Sequence, residues 1–180
     1  MKIPISFDYQ TSTPCQDEVL GAMEPYWRAC WENPSSRQNQ GGLRASAAVH
    51  SAREQIALSL NIRPEQLIFT SGATESNNLA LLGHARAKAI QLGRQGHLIS
   101  LSTEHASVLD PLSQLEREGF RITVLKPKSD GLISINQFTD AFEDDTFMVS
   151  MMLANNEIGV IQPLEEVARI CRNRAVTLHS

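Results

Sequence analysis

From residue 66 onward the chain alternates between short apolar runs and longer stretches with helical periodicity. Strands are predicted at 66–70, 97–101, 121–126, 147–153 and 176–179, and helices at 76–92, 108–118, 136–142 and 164–173. Strands alternating with helices imply α/β: a three-layer, largely parallel sheet with helices on both faces. Gly93, Gly96 and Gly119 fall where helix C-termini call for left-handed residues.

Ahead of this pattern, residues 18–31 and 43–60 read as helices. Val19, Met23, Tyr26, Trp27 and Cys30 make one apolar face of the first. Asn33-Pro34-Ser35-Ser36 stops it, a polar loop follows at 37–42, and Asn61-Ile62-Arg63-Pro64 separates the second helix from the first strand. Two regions are expected: 1–60, an N-terminal arm with helices, and 61–180, an α/β domain.

With 180 residues, 42% of them hydrophobic, the chain can bury a sizeable core. A net charge of −4 and the lack of a Lys/Arg cluster argue against a nucleic-acid surface. No apolar run reaches membrane-spanning length, and Met1-Lys2-Ile3-Pro4 opens no signal peptide, so a cytoplasmic protein is expected. Three cysteines at wide spacings, Cys15, Cys30 and Cys171, form neither a disulfide framework nor a zinc pattern. Cys30 and Cys171 read as core thiols and Cys15 as a loop residue.

Three predicted strands run straight into polar clusters, and parallel strands bring these to one edge of the sheet, where ligands of open α/β sheets collect. The first cluster is Ser71-Gly72-Ala73-Thr74, a turn opening a helix whose unpaired N–H groups and dipole attract an anion. The plain alternative is an ordinary strand–helix connection with Thr74 as its cap. Glu75 fits no capping-box spacing but suits the dipole. The second cluster is Ser102-Thr103-Glu104-His105, where His105 is either a functional imidazole or a helix cap. The third is Asn155-Asn156-Glu157 leading into Gly159, either an amide donor or simply turn residues. Together they describe an anion cradle, an imidazole and an amide around a polar, planar or phosphorylated ligand. Neither a GxGxxG after a strand nor a P-loop lysine is present.

These residues resemble the cysteine desulfurase family, the NifS/IscS-like branch of class V aminotransferase-type pyridoxal-phosphate enzymes. The matching pieces are Asn33-Pro34-Ser35-Ser36, Ala52-Arg53-Glu54-Gln55, Phe69-Thr70-Ser71-Gly72-Ala73-Thr74-Glu75-Ser76, Thr103-Glu104-His105, Leu115-Glu116-Arg117-Glu118-Gly119 and Asn155-Asn156-Glu157-Ile158-Gly159-Val160. They occur in the family's order along essentially the whole chain. The resemblance implies the aspartate aminotransferase fold (fold type I), truncated, with 61–180 as the first part of the PLP-binding domain. It implies pyridoxal 5′-phosphate as cofactor, its phosphate held at Ala73 and Thr74. His105 would stack on the ring and take part in proton transfers, and Asn156 would bond the phenolic oxygen. It further implies L-cysteine as substrate, converted to L-alanine while an enzyme thiolate takes the sulfur as a persulfide. The sulfur would be mobilised for iron–sulfur clusters or thiolation, through a homodimer and a sulfur-acceptor or scaffold protein.

The family's Schiff-base lysine, pyridinium carboxylate and persulfide cysteine are expected beyond Ser180. None of the four lysines, Lys2, Lys88, Lys126 and Lys128, matches the first of these, and Cys171 does not match the last. An N-terminal fragment, not competent by itself, is therefore expected. Gln10, Thr11 and Ser12 stand where the family usually has Asn-Ala-Thr, and Asn39 where a histidine is frequent. The competing expectations are a selenocysteine lyase or other class V enzyme, and a non-catalytic truncated binding or dimerisation module.

Overall fold

A computed structural model describes Tyr9 and residues 12–180. Most of the N-terminal arm, including Lys2, Gln10 and Thr11, lies outside the described residues. The chain divides into two compact units, Met1–Phe69 and Thr70–Ser180.

The first unit carries α1 (Asp17–Arg28) and α2 (Gln40–Leu60). Helix α1 ends earlier than the apolar pattern predicts: beyond Arg28, the Ala29 and Cys30 N–H groups both fold back onto the Pro25 carbonyl. Helix α2 begins earlier than predicted because Asn39 caps it, its Oδ1 accepting from the Gly42 N–H at 2.7 Å. A Cβ at Gly42 would run into the Ser36 carbonyl, so the helix start packs against the preceding turn only with glycine there.

The strand predicted at 66–70 does not form. Pro64–Gln66 is a 3₁₀ turn, and the following residues have no ladder partner among the described residues. A strand exists only through pairing, and apolar, β-branched composition cannot supply a neighbour. The segment is held to α2 by Arg53, whose guanidinium donates to the Leu67 carbonyl and lies 4.8 Å over the Phe69 ring.

The second unit contains the sheet: β1 (His97–Leu101), β2 (Arg121–Leu125), β3 (Thr146–Ser150) and β4 (Thr177–His179), in the order β2-β1-β3-β4 with every pairing parallel. This is the α/β architecture expected. The connecting helices are α5 (Ala106–Arg117), α6 (Ile135–Asp140) and α7 (Leu164–Asn173). Ahead of β1, α3 (Ala73–Asn78) passes through a π turn (Leu79–Gly83) into α4 (His84–Leu92), one helical run where a single helix was predicted.

Alternation along the strands feeds two cores. Leu98 and Met148 face Leu81, Ala85, Val108, Leu112 and Leu115 on one side. Ile99, Val149 and Met151 face Phe138, Val167 and Cys171 on the other. Helices thus cover both faces. The β1–β3 register slips by one residue, His97 pairing Thr146 and Leu98 pairing Met148. Phe147 is the extra residue and joins the same core as Met148. Gly96 lies against this bulge: a Cβ there would sit 2.8 Å from the Phe147 ring and 3.1 Å from the Asp145 carbonyl. Gly96 therefore serves close packing, whereas Gly93 and Gly119 adopt the left-handed backbone expected, with φ of 68° and 94°.

Candidate functional site

The strand order makes a switch point. From β1 the chain crosses to β2 on one side, and its next strand, β3, lies on the other side of β1. A crevice therefore opens between the carboxyl ends of β1 and β3. The second polar cluster follows β1 directly, and the third follows β3 after residues 151–154.

Side-chain hydrogen bonds tie α3, which the first cluster opens, to the second and third clusters. Asn77 of α3 donates to Ser107 Oγ of α5 at 2.8 Å. Ser107 Oγ lies 2.9 Å from His105 Nδ1, and the Ser107 N–H donates to the same nitrogen at 3.0 Å. Asn155 donates to the Thr103 carbonyl at 2.7 Å, and the Met152 N–H donates to Glu104 Oε1 at 2.8 Å. The second and third clusters, which parallel strands were expected to bring together, are thus bonded to each other, and α3 joins them through Asn77 with no strand leading into it.

Ala73 and Thr74 open α3, both exposed, with Gly72 as N-cap and no side-chain cap. The Ser76 N–H, bonding the Gly72 carbonyl at 3.1 Å, is the first to find an acceptor inside the helix. That leaves the N–H groups of Ala73, Thr74 and Glu75 directed out of the helix end. Thr74 is not the cap. Glu75 reaches back to accept from the Ser71 N–H at 2.6 Å, and hydrogen bonding from Ser71 holds its carboxyl below the usual range.

Of the two readings its sequence position allows, the cap is seen directly at His105. It caps α5 through Nδ1, which leaves the exposed ring's Nε2 uncommitted among the described residues. The asparagine pair divides its labour. Asn155 is buried and fully bonded, its Oδ1 accepting from the Glu157 and Ile158 N–H groups at 2.9 Å each. Asn156 is exposed, and its amide makes no side-chain hydrogen bond among the described residues. Asn77, Glu104, Ser107 and the distinct part of Asn155 were not singled out from the sequence. Only the spacing of His105 and Ser107, a cap and its second helical residue, carried a readable signal.

Glu104 is 7% exposed, and burial pushes its carboxyl above the usual range against the pull of the Met152 N–H. Beyond β2, Lys126 and Lys128 line an open cavity of about 470 Å³ together with Ser102, Thr103 and Ile158. Lys88 lies on α4. No helix among the described residues is long and apolar enough to cross a membrane.

Residues 5–180 match the family model described as aminotransferase class-V. The chain belongs to that family. It is 44% identical over 179 residues to the cysteine desulfurase IscS of Dechloromonas aromatica, covering 99% of this chain and 44% of that protein. It is 46% identical over 177 residues to a probable mitochondrial cysteine desulfurase of Schizosaccharomyces pombe, covering 98% of this chain and 35% of that one. Among solved structures, "SspA in complex with cysteine" superposes with a TM-score of 0.89 at 39% identity, covering 96% of this chain and 49% of the other. A NifS-like protein gives 0.88 at 33% identity, with 96% and 47% covered. The class V chain thus spans less than half the length of these relatives.

Proposed function

We propose that this chain forms the cofactor-cradling part of a pyridoxal 5′-phosphate-dependent cysteine desulfurase. The observation that carries the proposal is the set of uncommitted groups on mutually bonded loops at the switch point. These are the outward N–H groups of Ala73 and Thr74, His105 Nε2 and the Asn156 amide.

This donor set fits the cofactor, which combines a phosphate, a flat ring and a phenolic oxygen. The N–H groups of Ala73 and Thr74, with the Thr74 hydroxyl, hold the phosphate, where the dipole of the α3–α4 run favours negative charge. His105 stacks on the ring and holds or moves a proton at Nε2, its Nδ1 being occupied by the cap. The Asn156 amide donates to the phenolic oxygen. When bound, the cofactor supplies the electron sink that weakens bonds around an amino acid's α-carbon.

For the whole protein, the substrate on this reading is L-cysteine, whose sulfur passes to a cysteine thiol as a persulfide while L-alanine is released. Cys171 does not serve as that thiol, because burial pushes it up to about 11. A homodimer, a sulfur-accepting protein and a cytoplasmic setting complete the proposal, supported by the similarity to the desulfurases.

Equilibrium dialysis tests the cradle. Pyridoxal 5′-phosphate is expected to bind and pyridoxal, lacking the phosphate, to bind at least about tenfold more weakly, with Thr74→Ala and Asn156→Ala each weakening the former. Equal binding of the two compounds, or binding of neither, refutes it. Borohydride treatment of the mixture is expected to leave Lys88, Lys126 and Lys128 unmodified.

A further inference from the structure

The loops that carry His105 and Asn156 are fastened to each other by two hydrogen bonds running in opposite senses across the switch-point crevice. The β1 side offers a carboxylate to the β3 side: Glu104 Oε1 accepts from the Met152 N–H at 2.8 Å. The β3 side offers an amide in return: Asn155 Nδ2 donates to the Thr103 carbonyl at 2.7 Å. Both side chains are 7% exposed, although each neighbours an exposed candidate ligand-binding residue in sequence.

Asn155 is bonded on both ends of its amide. Besides Thr103, its Nδ2 lies 3.4 Å from Met152 Sδ. Its Oδ1 receives the Glu157 and Ile158 N–H groups, setting the turn that follows Asn156. Its backbone N–H donates to Val160 at 2.9 Å and its carbonyl accepts from Gly159 at 3.0 Å. Gly159 closes this turn with φ of 67°. The Gln162 N–H bonds the Leu153 carbonyl at 2.8 Å, so the loop is a short hairpin with Asn155 inside it. An amide carries its donor and acceptor on separate atoms, so it donates across the crevice while accepting within the turn.

We propose that Asn155 and Glu104 are positioning residues: they hold the loop bearing His105 and the loop bearing Asn156 at a set separation across the switch point. Neither touches the ligand. The role assigned to them rests on the cofactor reading given above, while the fastening itself stands on the hydrogen bonds alone.

The test separates fastening from turn formation. Asn155→Asp keeps an acceptor for Glu157 and Ile158 but loses the donor to Thr103 and sets a carboxylate against its carbonyl. Asn155→Ala loses both. Glu104→Gln keeps an acceptor for the Met152 N–H, and Glu104→Ala removes it. On the full chain, the His105 ring and Asn156 side-chain amide resonances report geometry, and the Leu98 and Val149 methyl resonances report the intact sheet. Amide exchange at Met152, Glu157 and Ile158 reports each bond.

Asn155→Asp is expected to keep slow exchange at Glu157 and Ile158 yet to shift the His105 and Asn156 signals as far as Asn155→Ala does, with the methyl signals unmoved. Glu104→Gln is expected to resemble wild type, and Glu104→Ala to resemble Asn155→Asp. In dialysis against pyridoxal 5′-phosphate, Asn155→Asp and Glu104→Ala are expected to weaken binding by about tenfold, the scale of a lost hydrogen bond. Wild-type His105 and Asn156 signals in Asn155→Asp overturn the proposal, since the amide then only shapes a turn. Should the wild-type chain bind no pyridoxal 5′-phosphate, the cofactor reading falls, and the resonances still decide whether the two loops are fastened.

Discussion

Acidification should weaken this fold from about pH 6.5 downward, earlier than carboxylate titration alone would bring about, and buried His97 shows why. Its ring is 0% exposed and lies between two strands' hydroxyls, Nδ1 at 2.7 Å from Thr146 Oγ1 and Nε2 at 2.8 Å from Thr123 Oγ1. The Glu143 N–H donates to Thr146 Oγ1 at 2.8 Å, so that hydroxyl's proton is free for Nδ1, and Nε2–H donates to Thr123. The ring is satisfied as a neutral group. Burial pushes its pKa below the usual 6.5, outweighing Glu143 and Asp145, which raise it, while Arg121 lowers it further. Those two carboxylates are themselves engaged by arginines: Arg121 pairs with Glu143 at 2.8 Å and also with Asp145, which Arg94 binds as well. The Glu143 contact at 3.7 Å is therefore not an ion pair in the native state.

The folded-state pKa lies below the unfolded one, so the unfolded chain takes up the proton first. The stability His97 contributes is fully present above pH 6.5 and is lost as pH falls through its folded value. Within that window one proton costs at most about 1.4 kcal/mol per pH unit. His84 and His179, also lowered by burial, act in the same direction. Urea denaturation at pH 7.5, 6.5 and 5.5 measures the slope, and His97→Gln should remove up to one proton's share of it. An unchanged slope in that variant, or wild-type stability that rises on acidification, refutes the reasoning.

Other consequences are more local. Ala175 holds a left-handed backbone with φ of 54°, so Ala175→Gly is expected to stabilise the chain by about 1 kcal/mol in urea denaturation, and a loss of stability would contradict the strain. Gly96→Ala pushes a Cβ into the Phe147 ring and the Asp145 carbonyl and is expected to cost about 1–3 kcal/mol by the same assay; a neutral result would mean the bulge yields freely. Iodoacetamide should label exposed Cys15 in the native chain and spare Cys171 until the protein is unfolded, as mass spectrometry of digests will show.

Much of the candidate site was legible before any coordinates. Short local signals suffice for a helix start after Gly72, a cap at His105 and a turn at Asn155-Asn156, because capping and turn chemistry act within a few residues. Alternation of strands and helices was enough to place the second and third segments on one edge of a parallel sheet, whereas no strand leads into the first. The unpaired 67–70 segment shows the limit of that reasoning. Its residues have strand composition, yet pairing belongs to the partner as much as to the segment, and it pairs with no described strand.

Tertiary structure decided what depends on two distant pieces of chain meeting. Two adjacent asparagines of identical composition differ in role because one faces the Thr103 carbonyl and the other faces outward. Ser107 matters because Asn77, thirty residues earlier, reaches it. The strand order that opens the crevice between β1 and β3 comes from packing, and no local pattern specifies it. The sequence by itself determined which polar groups follow the strands and open α3. Long-range hydrogen bonds and burial decided which of those groups are spent holding the loops and which stay exposed without a side-chain partner among the described residues.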